Sequence, residues 1–187
     1  MKKLVAVFGP GDCRSGDALY AEAEELGRLL AISGFAVVTG GYEGVMEAAS
    51  KGAREGGGPA IGITAEVYFS KGREPNPYLT REVRVKSATD RLMELLDLAD
   101  AWCAIGNSTG TLAEVAMAWD YMTKGFLPRK PLLLLGETWS HFLTYVRDEP
   151  RLVSDLVHYG RTPEHAIEAL VRHFGPQQAF PELEILK

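Results

Sequence analysis

The stretch Ala101-Trp102-Cys103-Ala104-Ile105-Gly106-Asn107-Ser108-Thr109-Gly110-Thr111-Leu112-Ala113-Glu114 decides how this chain is read. Its first five residues are apolar and read as a buried strand. The residues after Thr111 have helical periodicity, with Leu112, Val115, Ala116, Trp119 and Met122 placed on one face. A strand, a turn of small residues and a helix together aim backbone N–H groups and a helix N-terminus at one anion. Small residues are required because a phosphate must approach the backbone closely. Glu114 follows one turn into the helix. A carboxylate beside an anion cradle is unfavourable unless it has chemistry to perform or a local bond to make. The local bond is a capping box from Thr111 to Glu114, which is the competing reading of the segment.

Outward from this segment, short apolar runs alternate with helical patterns. Strands are expected at Leu4–Phe8, Phe35–Thr39, Ala60–Thr64, Ala101–Ile105 and Pro131–Leu135, with a short one near Leu156–Tyr159. Helices are expected at Ala18–Ile32, Glu43–Glu55, about Ser87–Leu98, after Gly106, around Trp139–Val146 and at Pro163–Phe174. Alternation with unbroken apolar strands predicts an α/β fold, a Rossmann-like three-layer α/β/α arrangement around a mainly parallel, doubly wound sheet. The span Ala65–Val85, with Pro75-Asn76-Pro77 inside it, reads as a long irregular segment that covers a ligand. The expected organisation is one domain over residues 1–174 and a C-terminal extension over 175–187 that docks on a partner subunit.

The 187 residues suit one core, and 46% hydrophobic with 24% charged residues is the balance of an ordinary soluble protein. A net charge of −5 without a long basic run argues against a nucleic-acid binder, and the apolar runs are too short for a membrane span. Met1-Lys2-Lys3 leads into only five apolar residues before Gly9, which does not fit a signal peptide. Cys13 and Cys103 make no metal pattern and read as reduced thiols of a cytoplasmic protein.

Three Gly-rich turns lie where strands end: Gly9-Pro10-Gly11 through Gly16, Gly40-Gly41-Tyr42-Glu43-Gly44, and Gly106–Thr111. In a doubly wound sheet ligands bind at that edge, so three such turns point to a phosphate-bearing ligand. The dinucleotide fingerprint fails because Arg14 stands at the third glycine, and the P-loop fails because Asp17 stands at the lysine. Arg91, near the start of its helix, calls for an anionic partner: Asp90, Glu94 or a ligand phosphate. His141, His158, His165 and His173 fall in no Gly-rich turn, so neither a histidine triad nor a metal site is expected there. Trp102, Trp119 and Trp139 are assigned to the core or a subunit contact.

These residues resemble the LOG (Lonely Guy) family. Gly40-Gly41-Tyr42-Glu43-Gly44-Val45-Met46-Glu47 is similar to its G-G-G-x-x-G-L-M-G segment, and Gly106–Glu114 to its P-G-G-x-G-T-x-x-E motif. Arg91 falls at the family's arginine. Gly106, Asn107 and Ser108 replace Pro-Gly-Gly, Tyr42 replaces a glycine, and Leu92 replaces a lysine. The resemblance implies a nucleoside 5′-monophosphate phosphoribohydrolase that releases a purine or cytokinin-type base, without a cofactor, as a homodimer or larger assembly. On that reading Glu114 and Arg91 are catalytic. Gly106, Asn107, Ser108, Thr109, Gly110, Thr111, Gly40, Gly41, Gly44, Met46, Gly9 and Gly11 hold the nucleotide. The alternative is a non-catalytic nucleotide or molybdenum-cofactor carrier of the same fold. The label "possible lysine decarboxylase", common in the family, fits poorly, because no lysine lies in the three turns to hold pyridoxal phosphate.

Overall fold

A computed structural model describes residues 2–146 and 155–180. Its elements are β1 (Leu4–Phe8), α1 (Ala18–Ile32), β2 (Ala36–Thr39), α2 (Val45–Glu55), β3 (Ala60–Ala65), α3 (Glu66–Phe69), β4 (Arg81–Val85), α4 (Ala88–Leu98), β5 (Ala101–Ile105), α5 (Thr109–Thr123), β6 (Leu132–Leu135), α6 (Glu137–Val146), β7 (Val157–Gly160) and α7 (Pro163–Phe174). The central strands are unbroken apolar runs because both faces of the sheet are covered. One face packs on α1, α2 and α7 through Leu26, Leu30, Ala49 and Leu170. The other packs on α4, α5 and α6 through Leu95, Val115, Trp119 and Trp139. The result is the expected three-layer α/β/α sandwich.

All strands pair in parallel, in the order β4-β3-β2-β1-β5-β6-β7. The chain winds outward from β1 to β4, returns, and pairs β5 on the other side of β1. Between β1 and β5 the direction of winding therefore reverses, and the turns after these two strands diverge to opposite sides of the sheet.

Glycines set two of the close approaches. Gly34, at φ +84°, ends α1, and the Phe35 N–H donates back to the Leu30 carbonyl at 2.9 Å, closing a Schellman motif. Gly27 of α1 and Gly52 of α2 face the partner helix's backbone; a Cβ at either position would overlap a carbonyl of the other helix. These two helices therefore pack backbone to backbone.

Two expectations need correction. The span Ala65–Val85 is not irregular throughout: it holds α3 and the edge strand β4, in whose sequence Arg81-Glu82-Val83-Arg84-Val85 the charged residues are exposed and the valines half-buried, so that it lacks an apolar run. The buried face of α5 is Thr111, Val115, Ala118, Trp119 and Met122, while Leu112 is 43% exposed and Ala116 is also outside. The buried stripe is therefore rotated round the helix from the expected one, with Thr111 and Ala118 in place of Leu112 and Ala116. Residues 175–180 fold back on their own domain, where Lys2 donates to the Gln178 and Ala179 carbonyls and lies 4.6 Å over the Phe180 ring. The rest of the expected extension, 181–187, lies outside the described residues. Trp102, Trp119 and Trp139 are all core residues, and Cys13 and Cys103 are buried free thiols. No helix among the described residues is long and apolar enough to cross a membrane.

Candidate functional site

A cavity of about 420 Å³ opens at the carboxyl edge of the sheet, over the reversal between β1 and β5. That volume is in the range of small-molecule sites. The turn after β1 contributes Gly9, Gly11, Asp12 and Arg14, and the turn after β2 contributes Tyr42, Glu43 and Met46. Tyr68 and Arg73 come from the segment after β3, and Arg91 from α4. The β5–α5 connection contributes Ser108, Gly110, Thr111 and Glu114.

The β5–α5 wall is built by backbone. Gly106 takes φ +70° and its carbonyl accepts from Trp139 Nε1 at 3.0 Å, which fixes the departure from β5. Ser108 is the N-cap: its Oγ accepts from the Thr111 N–H at 3.1 Å and lies 2.9 Å from Thr111 Oγ1. A Cβ on Gly110 would meet only Ser108 Oγ, at 3.7 Å, so the backbone there is open to the cavity. The first-turn amide of Gly110 has no intrahelical acceptor and is available to an anion in the cavity. The capping box expected from Thr111 to Glu114 is not formed. The helix is capped three residues earlier, which leaves the Glu114 carboxyl free to face the cavity.

Burial pushes the Glu114 carboxyl up from 4.5 to about 7, and the charge of Arg91 opposes the rise. Arg91 pairs with neither Asp90 nor Glu94, two of the three partners expected for it. Asp90 is engaged in a capping box with Ser87 at the start of α4. Arg91 Nε instead donates to the Gly40 and Ile63 carbonyls at 3.2 and 2.9 Å, and Nη2 contacts Met46 Sδ at 3.4 Å. The guanidinium thus satisfies strand-end carbonyls of β2 and β3. Gly40 is what makes room for it, since a Cβ there would overlap Nη2.

The other glycines act as spacers. Gly44, at φ +70°, would place a Cβ 2.5 Å from the Pro10 carbonyl, and the Val45 N–H donates to that oxygen at 2.9 Å. The first and second Gly-rich turns are therefore joined backbone to backbone, and Gly41 makes a second tight turn at φ +80°.

Of the residues chosen from sequence, Glu114, Arg91, Ser108, Gly110, Thr111, Met46, Gly9 and Gly11 line the cavity. Gly40, Gly41, Gly44 and Gly106 shape it from behind. Asn107 and Thr109 do not face it. They line a separate apolar cavity of about 360 Å³ with Leu112, Thr138, Trp139 and Phe142, where Asn107 Nδ2 donates to Thr138 Oγ1 at 3.4 Å. Asp12, Arg14, Tyr42, Glu43, Tyr68 and Arg73 were not chosen. Arg14 and Glu43 sit inside Gly-rich turns, a signal sufficient to find them; Tyr68 and Arg73 carry no local signature. No group of histidine, cysteine or acidic side chains among the described residues is arranged to hold a metal ion.

The fold and cavity define a Rossmann-like α/β protein with a charged pocket at the reversal of its sheet. Residues 2–164 match the SLOG cluster4 family, and the chain belongs to that family. Its fold is similar to that of the molybdenum cofactor binding protein from the phototrophic bacterium Rippkaea orientalis, at 28% identity and a TM-score of 0.74 over 92% of this chain and 97% of the other. The molybdenum cofactor carrier protein from Chlamydomonas reinhardtii is similar at 28% identity and a TM-score of 0.72, over 92% and 98% of the two chains. The protein TM1055 is similar at 31% identity and a TM-score of 0.73, over 91% and 99%.

Proposed function

We propose that this protein binds a phosphate-bearing heterocyclic ligand of the molybdenum-cofactor type as cargo, without hydrolysing it. The observation that carries the reading is likeness over nearly the full length, at 28% identity, to two proteins that bind or carry that cofactor. The pocket fits such a ligand in kind. Its phosphate would sit on the Gly110 amide and the Ser108 and Thr111 hydroxyls at the start of α5, where the helix dipole also favours it. Arg14 and Arg73 would offset its charge, and the cavity is roomy enough for a ring system beside the phosphate.

One observation favours a second reading, N-glycosidic hydrolysis of a nucleoside 5′-monophosphate. A carboxyl titrating near 7 is suited to general acid–base work, and Glu114 occupies the position that the LOG resemblance marks as catalytic. The two readings separate in one experiment. Purified protein is mixed with molybdenum cofactor released from a molybdoenzyme and passed over a sizing column; metal and pterin are then measured in the protein peak. In parallel, nucleoside monophosphates are incubated with the protein and free base is measured. Co-elution of cofactor at stoichiometric levels with no base released is the expected result. Base release that disappears in Glu114→Ala would replace the carrier reading with the hydrolase.

A further inference from the structure

The segment from Glu66 to Pro75 forms an arch that borders the cavity through Tyr68 and Arg73, and it is held at both feet by the turn after β2. At the first foot, the Tyr42 hydroxyl donates to the Ala65 carbonyl at 3.2 Å and accepts from the Ala65 N–H at 2.9 Å. At the second, the Asn76 N–H donates to the Gly41 carbonyl at 2.8 Å and Asn76 Nδ2 to the Tyr42 carbonyl at 3.1 Å. Tyr42 and Asn76 are both buried. Tyr42 stands where the LOG motif has glycine, so the substitution supplies the clamp for this arch.

The arch carries aromatic and cationic groups to the pocket. The Tyr68 ring packs edge-on against Tyr42 at 5.3 Å between centroids, with the Arg73 guanidinium 5.7 Å from its centre and the Arg91 guanidinium 5.8 Å from it. Phe69 props the arch from outside, against Tyr42 and under Arg84 at 4.0 Å. Tyr68, Arg73 and Arg91 thus present flat, polarisable surfaces to the same cavity whose far wall is the amide cradle of α5.

Building on the carrier reading above, we propose that Tyr68, with Arg73 beside it, is the ring-reading wall of the pocket. It takes the planar fused heterocycle of the ligand and restricts the site to ring-bearing phosphates over sugar phosphates and inorganic phosphate. The physical basis is stacking on an aromatic face flanked by guanidinium groups, which is tolerant of ring identity but demands a flat π-surface.

The test uses calorimetry with guanosine 5′-monophosphate, ribose 5-phosphate and inorganic phosphate. Wild-type protein is expected to bind guanosine 5′-monophosphate on the order of tenfold tighter than ribose 5-phosphate. Tyr68→Ala is expected to erase that margin with ribose 5-phosphate binding unchanged, and Tyr68→Phe to keep it. Equal binding of the two probes by the wild type, an unchanged margin in Tyr68→Ala, or an equal loss for both probes each overturns the inference. In those outcomes the carrier reading is judged separately, by co-elution with the molybdenum cofactor. If that co-elution also fails and no phosphate-bearing probe binds, both fall together.

Discussion

The two walls of the pocket are made by opposite means. The α5 wall comes from one run of nine residues, Gly106–Glu114, of which Ser108, Gly110, Thr111 and Glu114 line the cavity and one hydroxyl, Ser108 Oγ, sets the helix start. The arch wall takes its form from side chains far apart in sequence, with Tyr42 and Asn76 separated by 34 positions yet bonded at 3.1 Å. The first wall offers a phosphate a fixed set of dipoles whatever is attached to it. The second offers shape. On the proposed function, a site so divided would keep phosphate recognition constant while ligand choice varied with the arch.

The largest effect is expected from Gly44→Val, which strikes the junction shared by both walls. A β-branched residue at φ +70°, with its Cβ 2.5 Å from the Pro10 carbonyl, would cost about 3 kcal/mol or more. A fall in Tm of roughly 6–12 °C, together with loss of all phosphate binding, is the expected readout. Retained binding at full stability would mean that the turns after β1 and β2 do not depend on each other.

Next comes the pH response of the α5 wall. Glu114 titrates at about 7 in the folded protein against 4.5 unfolded, so between these values the folded state holds a proton that the unfolded chain has released. Stability therefore falls as pH rises through that window, by at most about 3 kcal/mol, and the loss is complete above pH 7. Urea midpoints at pH 5 and pH 8 should differ less in Glu114→Gln than in the wild type; identical slopes would remove Glu114 from the buried edge of the pocket.

Asn76→Ala tests the arch alone. It strips the Tyr42 carbonyl and the Tyr78 N–H of their partner and should cost about 1–3 kcal/mol. Hydrogen exchange should quicken over residues 66–80 and not over 106–114. Ser108→Ala is the smallest change, about 1 kcal/mol for the lost cap, with weaker phosphate affinity and an unchanged arch. Equal exchange in both segments for either variant would show that the walls move as one.

The α5 wall was readable because most of what shapes it is local, the Trp139 bond to the Gly106 carbonyl being the exception. Strand β5, the glycine and serine turn and the helix follow one another, and β1, α1, β5 and α7 fall on the expected residues for the same reason. The errors there are errors of phase. Thr111 and Ser108 are both good caps, and only the backbone geometry decides that Ser108 fills the role; how α5 docks on the sheet leaves Leu112 and Ala116 outside. The arch was hidden because its order comes from long-range bonds. β4 alternates charged and apolar residues at a sheet edge, and Pro75 and Pro77 suggest irregularity, while the clamp through Tyr42 leaves no periodic trace. Arg91 was legible as a functional position. Its partners were not, because the carbonyls of Gly40 and Ile63 reach it only once β2 and β3 lie side by side.

The reversal of winding between β1 and β5 also bears on when the pocket can exist. During synthesis the turns after β1 and β2 and the whole arch leave the ribosome before Gly106 does. They can dock early, through parallel pairs of neighbouring strands. The amide cradle arrives last, and β5 must then find β1 across nearly 100 residues of chain (Val5 pairs with Ala101). The pocket is complete only in a molecule translated past α5, so a nascent or truncated chain would carry Tyr68 and Arg73 without the α5 wall that faces them.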